Sequence, residues 1–172
     1  MAILEDVFIN IANSIRSKTG TSESIKPIDM PNIINNISAG GIYNITTGNA
    51  ATSFNKETFN YPVNISNNVT DMSNCFNNCT IFNQPINIPN SVTNMCNCFI
   101  HCYEFNQPVN IPNSVTDMNN CFSYCGFGFN QPINIPNNIT SVYDLFYNCY
   151  SFNQYVNIPN SVTNMCDCFS GC

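Results

Sequence analysis

Apolar and polar positions recur with a fixed period through the last two-thirds of the chain. The motif Phe-Asn begins at Phe59, Phe82, Phe105, Phe129 and Phe152, so the spacings are 23, 23, 24 and 23 residues and Gly128 is the extra residue. A fixed period of this length indicates one supersecondary unit per copy, which buries its apolar face only by stacking on neighbouring copies. The pattern predicts a solenoid over residues 59–172, whose five copies we number 1 to 5 in chain order.

Each copy opens with an alternation typical of a half-buried strand. Ile86 and Ile88 share one face and Asn87 lies on the other. Pro85 and Pro89 cannot donate to a ladder, so we expect only a very short strand in each copy. Parallel stacking would align the outward residues of the five copies into one exposed asparagine ladder, formed by Asn64, Asn87, Asn110, Asn134 and Asn157.

The second half of each copy has the spacing of a short helix. Met95, Cys98, Phe99 and Cys102 lie at i, i+3, i+4 and i+7, which is one apolar face of a two-turn helix, with a cap near Asn94. So short a helix needs the sheet behind it. The predicted fold class is therefore an α/β repeat, a solenoid whose coils each consist of a strand, a turn and a short helix. The same apolar set recurs in the other copies as Met72/Cys75/Phe76/Cys79, Met118/Cys121/Phe122/Cys125, Val142/Leu145/Phe146/Cys149 and Met165/Cys168/Phe169/Cys172.

The residues before the copies have a different pattern. Ile3, Val7, Ile11 and Ile15 form a helical stripe, and a second, shorter helix is predicted around residues 31–37. Residues 1–41 would then be a helical docking module; the alternative is that these helices only cap the first coil. Residues 42–58 are expected to be a degenerate cap repeat, because Ile-Tyr-Asn-Ile-Thr at 42–46 echoes the strand of the later copies.

Charge is scarce and unevenly placed. Charged residues make up 8% of the chain, and all four basic residues precede residue 59, so residues 59–172 carry five carboxylates and no cation. Nucleic acid and anionic membrane surfaces are therefore unsuitable partners for the copies. No run approaches the roughly 18 apolar residues of a spanning helix. The acidic start, Met-Ala-Ile-Leu-Glu-Asp, is unlike a secretory signal, so we expect synthesis in a bacterial cytoplasm.

Eleven cysteines follow the repeat rather than a disulfide framework. Nine of them fall in two columns, and Cys96 and Cys166 share a third. Residues four apart on a helix are too far apart for a relaxed bridge, and Leu145 replaces Cys in one column, so buried reduced thiols are the preferred interpretation. Zinc at Cys96/Cys98/Cys102 and at Cys166/Cys168/Cys172 is the alternative, but that spacing matches no familiar zinc site.

The sequence offers little for catalysis. It contains no phosphate loop, no Ser/His/Asp set and no paired carboxylates, and His101 is the single histidine. We therefore expect a protein that is not an enzyme and that needs no cofactor or metal. The candidate binding surface is the asparagine ladder, because uncharged amides suit neutral sugars, whereas a solvated face without function is the alternative. Four glutamines would flank this ladder, Gln84, Gln107, Gln131 and Gln154.

The copies are built on the run Ile-Asn-Ile-Pro-Asn-Ser-Val-Thr-Asn-Met, followed by Cys-Phe and Cys. This run resembles the BspA-type leucine-rich repeat in its Mycoplasma surface-protein variant. The resemblance covers residues 59–172 and implies a β/α solenoid used in adhesion and host-surface contact, without catalytic residues. Residues 11–30 resemble a segment near the N-termini of tail and fibre proteins from phages of Gram-positive bacteria. That segment implies a module for virion attachment or assembly.

Together these features favour a non-enzymatic phage virion component of a tail, baseplate or fibre. Its N-terminal helices would bind other virion proteins or oligomerise, and its copies would contact a glycan or protein of the host surface. A purely structural decoration or spacer of the virion, or a fragment of a bacterial surface adhesin, are the alternatives. The chain stops at Cys172 within copy 5, so we expect Met165, Phe169 and Cys172 to contact a partner or another copy of the chain.

Overall fold

The computed structural model of the protein describes residues 43–46 and 57–172, all within the compact unit Asn36–Cys172. Strand β1 is Tyr43–Ile45 and strand β2 is Val63–Ile65. The two strands pair in parallel, with Tyr43 opposite Val63 and Asn44 opposite Asn64. Within the described residues, no helix is long and apolar enough to cross a membrane. The predicted helices of residues 1–41 lie outside them.

Proline placement explains why β2 has no equivalent strand in copies 2 to 5. At the end of β2, the N–H of Ser66 donates to the Ile45 carbonyl at 2.8 Å. Copy 2 carries Pro89 at the position of Ser66, so this donor is missing there, and copies 3 to 5 carry proline as well. The alternation itself is as predicted in copy 2, because Ile88 is buried and Asn87 is exposed.

The predicted two-turn helices are wrong for the described residues: the second half of each copy is a series of tight turns. In copy 1 the N–H groups of Cys75, Asn77 and Cys79 donate to carbonyls three residues earlier, at 3.1, 3.2 and 2.9 Å. Asn74 and Asn78 have φ of 56° and 63°, and such left-handed residues cannot continue an α-helix. A positive φ at the third residue is what a type II turn requires. The predicted spacing of the apolar residues is correct, but the predicted helical conformation of their backbone is not.

Alternate N–H groups explain the preference for turns. Those of Met72, Asn74, Phe76 and Asn78 donate to carbonyls of copy 2, at 2.8, 3.0, 2.8 and 2.9 Å. In a helix these N–H groups would donate to carbonyls of the same copy. In the series of turns, every second N–H group donates to the next copy instead. The same alternation joins copy 2 to copy 3 and copy 4 to copy 5. Stacking thus provides the hydrogen bonds that a helix would have made locally.

The core is a continuous double column of phenylalanine rings. Phe82, Phe105 and Phe129 begin copies 2 to 4, and their ring centroids lie 5.8 and 6.0 Å apart along the stack. The second column interleaves with the first, since Phe76 lies 4.5 Å from Phe82 with an interplanar angle of 13°. These rings are fully buried, as are the Met and Cys residues of the predicted apolar faces in copies 1 to 3. The predicted core positions are therefore confirmed there.

Candidate functional site

The asparagine ladder lies on the outward face of the stacked copies. Its five members alternate with inward residues such as Ile88 and Ile111, and each of the five is exposed. Asn64 Nδ2 donates to Asn44 Oδ1 at 3.1 Å, which joins β2 to β1. For Asn87 and the members after it, no side-chain hydrogen bond is found among the described residues, so their amides can meet a ligand. These members are Asn87, Asn110, Asn134 and Asn157.

The glutamines that flank this ladder have a structural role. Gln107 Nε2 donates to Asn83 Oδ1 at 3.0 Å, and the same oxygen accepts the Asn106 N–H at 3.0 Å. Gln84, Gln131 and Gln154 bond in the same way to the Asn that follows the first Phe of the preceding copy. We call these acceptors the corner asparagines, Asn60, Asn83, Asn106 and Asn130. The glutamine donors therefore join the copies.

A shallow groove of ≈ 540 Å³ runs along the outward face across copies 2 to 5. Its lining contains a Pro/Tyr row of Pro108, Pro132 and Tyr155 and, two residues further along the same copies, a row of the ladder members Asn110, Asn134 and Asn157. The complete lining is Ile86, Pro108, Val109, Asn110, Pro132, Ile133, Asn134, Tyr155 and Asn157.

Tyr155 is the position at which the groove departs from the repeat. Copies 1 to 4 carry proline there, whereas copy 5 carries a tyrosine that is 87% exposed. Sequence reasoning missed this residue, although a single aromatic in a column of prolines was the available signal. An exposed ring with a phenolic hydroxyl offers both an apolar face and a hydrogen-bonding group.

Charge plays no direct part in the groove, because its nine lining residues include no Asp, Glu, Lys, Arg or His. Residues 59–172 supply no cation. Within the described ranges, no group of three or more His, Cys, Asp or Glu side chains is arranged to hold a metal ion. The groove can therefore offer amide hydrogen bonds and apolar contact, but no cation for an anionic ligand.

All eleven cysteines are free thiols, and eight of them are buried. Cys102 Sγ donates to the Phe76 carbonyl of the preceding copy at 3.0 Å, and Cys125 Sγ donates to the Phe99 carbonyl at 3.0 Å. Burial raises the pKa of Cys149 to about 12, so this thiol stays protonated and able to donate. The cysteines therefore act as small core residues that also link copies.

One edge of the stack exposes large apolar side chains where the copies differ most. Tyr150 is 60% exposed. Phe127, which lies in the loop that contains the extra residue Gly128, is 76% exposed. His101 stacks on Tyr124 at 4.5 Å, and burial lowers the pKa of its imidazole, so it is neutral at pH 7. Among the described residues, the hydrogen-bond partner of this imidazole is the Tyr103 hydroxyl, which lies 3.3 Å from Nδ1.

The other predicted contact residues divide into two groups. Met165, Phe169 and Cys172 are exposed, although Phe169 stacks on Phe146 at 5.5 Å. The predicted docking stripe of Ile3, Val7, Ile11 and Ile15 lies outside the described residues. Among the predicted sites, the structure therefore brings together the later members of the asparagine ladder.

These features define a repeat protein whose copies are joined in series by backbone bonds, buried rings and the corner asparagines. A family model described as "Mycoplasma protein of unknown function, DUF285" matches residues 89–172, which are most of copies 2 to 5. This match supports the resemblance of the copies to Mycoplasma repeats. Comparison with curated proteins and with solved structures found no match.

Proposed function

We propose that this protein is a non-enzymatic adhesion module whose copies form a leucine-rich-repeat-like solenoid and bind neutral glycans on their outward face. The observation that carries the proposal is the groove, in which exposed Asn110, Asn134 and Asn157 lie beside the Pro/Tyr row. Primary amides present both donors and acceptors, so each can pair with a pair of sugar hydroxyls. The uncharged lining and the absence of cations in residues 59–172 favour a neutral ligand over an anionic one.

Glycan arrays probed with the purified chain test this proposal. The double variant Asn110→Ala/Asn134→Ala removes two amides from the middle of the groove, and we expect it to lose most of the neutral-glycan signal. The matched control is Asn113→Ala/Asn137→Ala, which removes two exposed asparagines of the same copies that do not line the groove. Absence of neutral-glycan binding, or equal loss in the two double variants, would contradict the proposal.

A virion location is the second part of the proposal, and it rests on the resemblance of residues 11–30 to phage tail and fibre proteins. In this account the helical stripe of Ile3, Val7, Ile11 and Ile15 docks on other virion proteins. Mass spectrometry of gradient-purified particles should then detect the chain, and Ile11→Asp should prevent its incorporation. Recovery of the chain only from bacterial envelopes would instead favour a surface adhesin. Incorporation without any glycan binding would favour a structural spacer.

A further inference from the structure

The lining of the groove has two chemically different rows that run parallel along the stack. Pro108 and Asn110 both point outward because Val109 between them points inward, where it is 6% exposed. The same arrangement is repeated in the next copy by Pro132, Ile133 and Asn134. Each of these copies therefore places one apolar ring and one amide in the lining of the groove.

This arrangement matches a pyranose ring better than it matches a peptide. A pyranose has a face of C–H groups and an edge of hydroxyls, so the proline and tyrosine rings can contact the face while the amides bind the edge. An extended peptide would bring backbone N–H and C=O groups that need ladder partners. Prolines at Pro108 and Pro132 offer no N–H to such a partner, which disfavours an added strand.

The spacing of the copies extends the match from one sugar to a chain of sugars. Equivalent core rings of successive copies lie 5.8, 6.0 and 6.0 Å apart from Phe82 to Phe152. These distances include the offset between stacked rings, and copies joined by backbone hydrogen bonds lie about 4.8 Å apart, which is comparable with the length of one pyranose unit in an extended chain. Sugars of one linear polymer can therefore meet successive copies in the same register, so that each further unit adds a contact.

Tyr155 marks one end of this track. It replaces the proline of the other copies, and its ring is 87% exposed beside Asn157. A flat aromatic ring offers a larger stacking surface to a sugar face than proline does.

Resting on the proposed glycan-binding function, we propose that the groove holds a linear neutral polysaccharide along the stack, with one sugar unit per copy. The Tyr155 ring stacks on the unit at the copy 5 end, and Asn110, Asn134 and Asn157 bind hydroxyls of successive units. Copies 3, 4 and 5 each contribute one ring and one amide to the lining, so the groove accommodates three units.

Calorimetric titration with neutral oligosaccharides tests this inference. Cello-, malto-, xylo- and N-acetylchito-oligosaccharides from disaccharide to hexasaccharide are the probes, with hyaluronan fragments as the anionic comparison. In the linkage series that binds, affinity should rise up to the trisaccharide and then level off, and hyaluronan should not bind.

The decisive variant is Tyr155→Pro, which gives copy 5 the residue found in the other copies. It should fold, because the Tyr155 N–H donates no hydrogen bond within the described residues. We expect the affinity for the trisaccharide to fall roughly tenfold, the size of one aromatic contact. Tyr155→Phe should retain binding, and Tyr150→Ala, at an exposed tyrosine outside the groove, should leave it unchanged.

The possible failures are distinguishable. Neutral-glycan binding that is independent of length, or unchanged in Tyr155→Pro, would overturn the polysaccharide track and leave the proposed function in place. Absence of binding to every neutral glycan, or binding to a protein partner alone, would overturn both.

Discussion

At the scale of single residues, the loop around Gly126 shows how the lack of a side chain lets an exposed ring lie close to the backbone. A β-carbon at Gly126 would lie 2.8 Å from the Asn148 carbonyl oxygen and 2.8 Å from Tyr150 Cδ2. The Ser151 N–H donates to the Gly126 carbonyl at 3.1 Å, so the loop cannot easily move away. Glycine is therefore needed here for close approach rather than for flexibility.

We predict that Gly126→Ala destabilises the protein by roughly 1–3 kcal/mol, the usual cost of overpacking. The clash with a backbone oxygen cannot be relieved by rotating a side chain. Urea unfolding followed by circular dichroism measures this loss. Thr80→Ala, at the equivalent position of copy 1, is the control and should change stability by less than about 0.5 kcal/mol. An unchanged midpoint for Gly126→Ala would show that the loop is loosely packed.

Residue chemistry also explains why the core was predictable and the backbone was not. Periodic Met, Cys and Phe are buried in either a helix or a turn series, so their burial followed from spacing alone. Asn74, Asn97, Asn120, Asp144 and Asp167 form a column of Asn and Asp with φ between 51° and 56°. Asn and Asp are the residues that best tolerate this conformation. That column was the available signal for turns.

At the scale of structural elements, each copy is stabilised mainly by its neighbours. The corner asparagines illustrate this, because Asn106 Oδ1 accepts the N–H of Asn130 at 3.0 Å and the Nε2 of Gln131 at 3.0 Å. Asn83 does the same one copy earlier, because its Oδ1 accepts the Asn106 N–H at 3.0 Å. The glutamines could not be assigned correctly from sequence, because their partners lie in another copy.

We expect Asn106→Ala to lower the free energy of unfolding by about 1–2 kcal/mol, since two hydrogen bonds between copies are lost. Asn106→Asp keeps an acceptor oxygen in the same place and should retain most of that stability. Thermal denaturation of the two variants provides the measurement. Equal losses of stability in both variants would contradict this prediction, because they would show that an acceptor oxygen at this position does not stabilise the contact.

At the scale of the whole molecule, buried thiols make stability depend on pH. Burial raises the pKa of Cys149 to about 12, and it also raises the pKa of the fully buried Cys98 and Cys125. Unfolded thiols ionise near their ordinary pKa of about 8.5. The unfolded chain therefore binds fewer protons than the folded chain above that pH, so stability falls as pH rises.

We predict that stability is constant below about pH 8 and then falls toward pH 12, by about 1.4 kcal/mol per pH unit for each buried thiol. Urea unfolding at a series of pH values measures the slope. Cys149→Ala removes one titrating group and should make the slope shallower by one proton. A flat profile through pH 10 would mean that the thiols are oxidised or solvated.

The most direct test of the central claim is to follow the side-chain amides of the outward face by nuclear magnetic resonance while a neutral oligosaccharide is added. The account predicts shifts in the Nδ2 signals of Asn110, Asn134 and Asn157 and in the ring signals of Tyr155. The corner asparagines, which already accept hydrogen bonds between copies, should change little. Shifts confined to the edge around Phe127 and Tyr150, or no shifts with any neutral glycan, would contradict it.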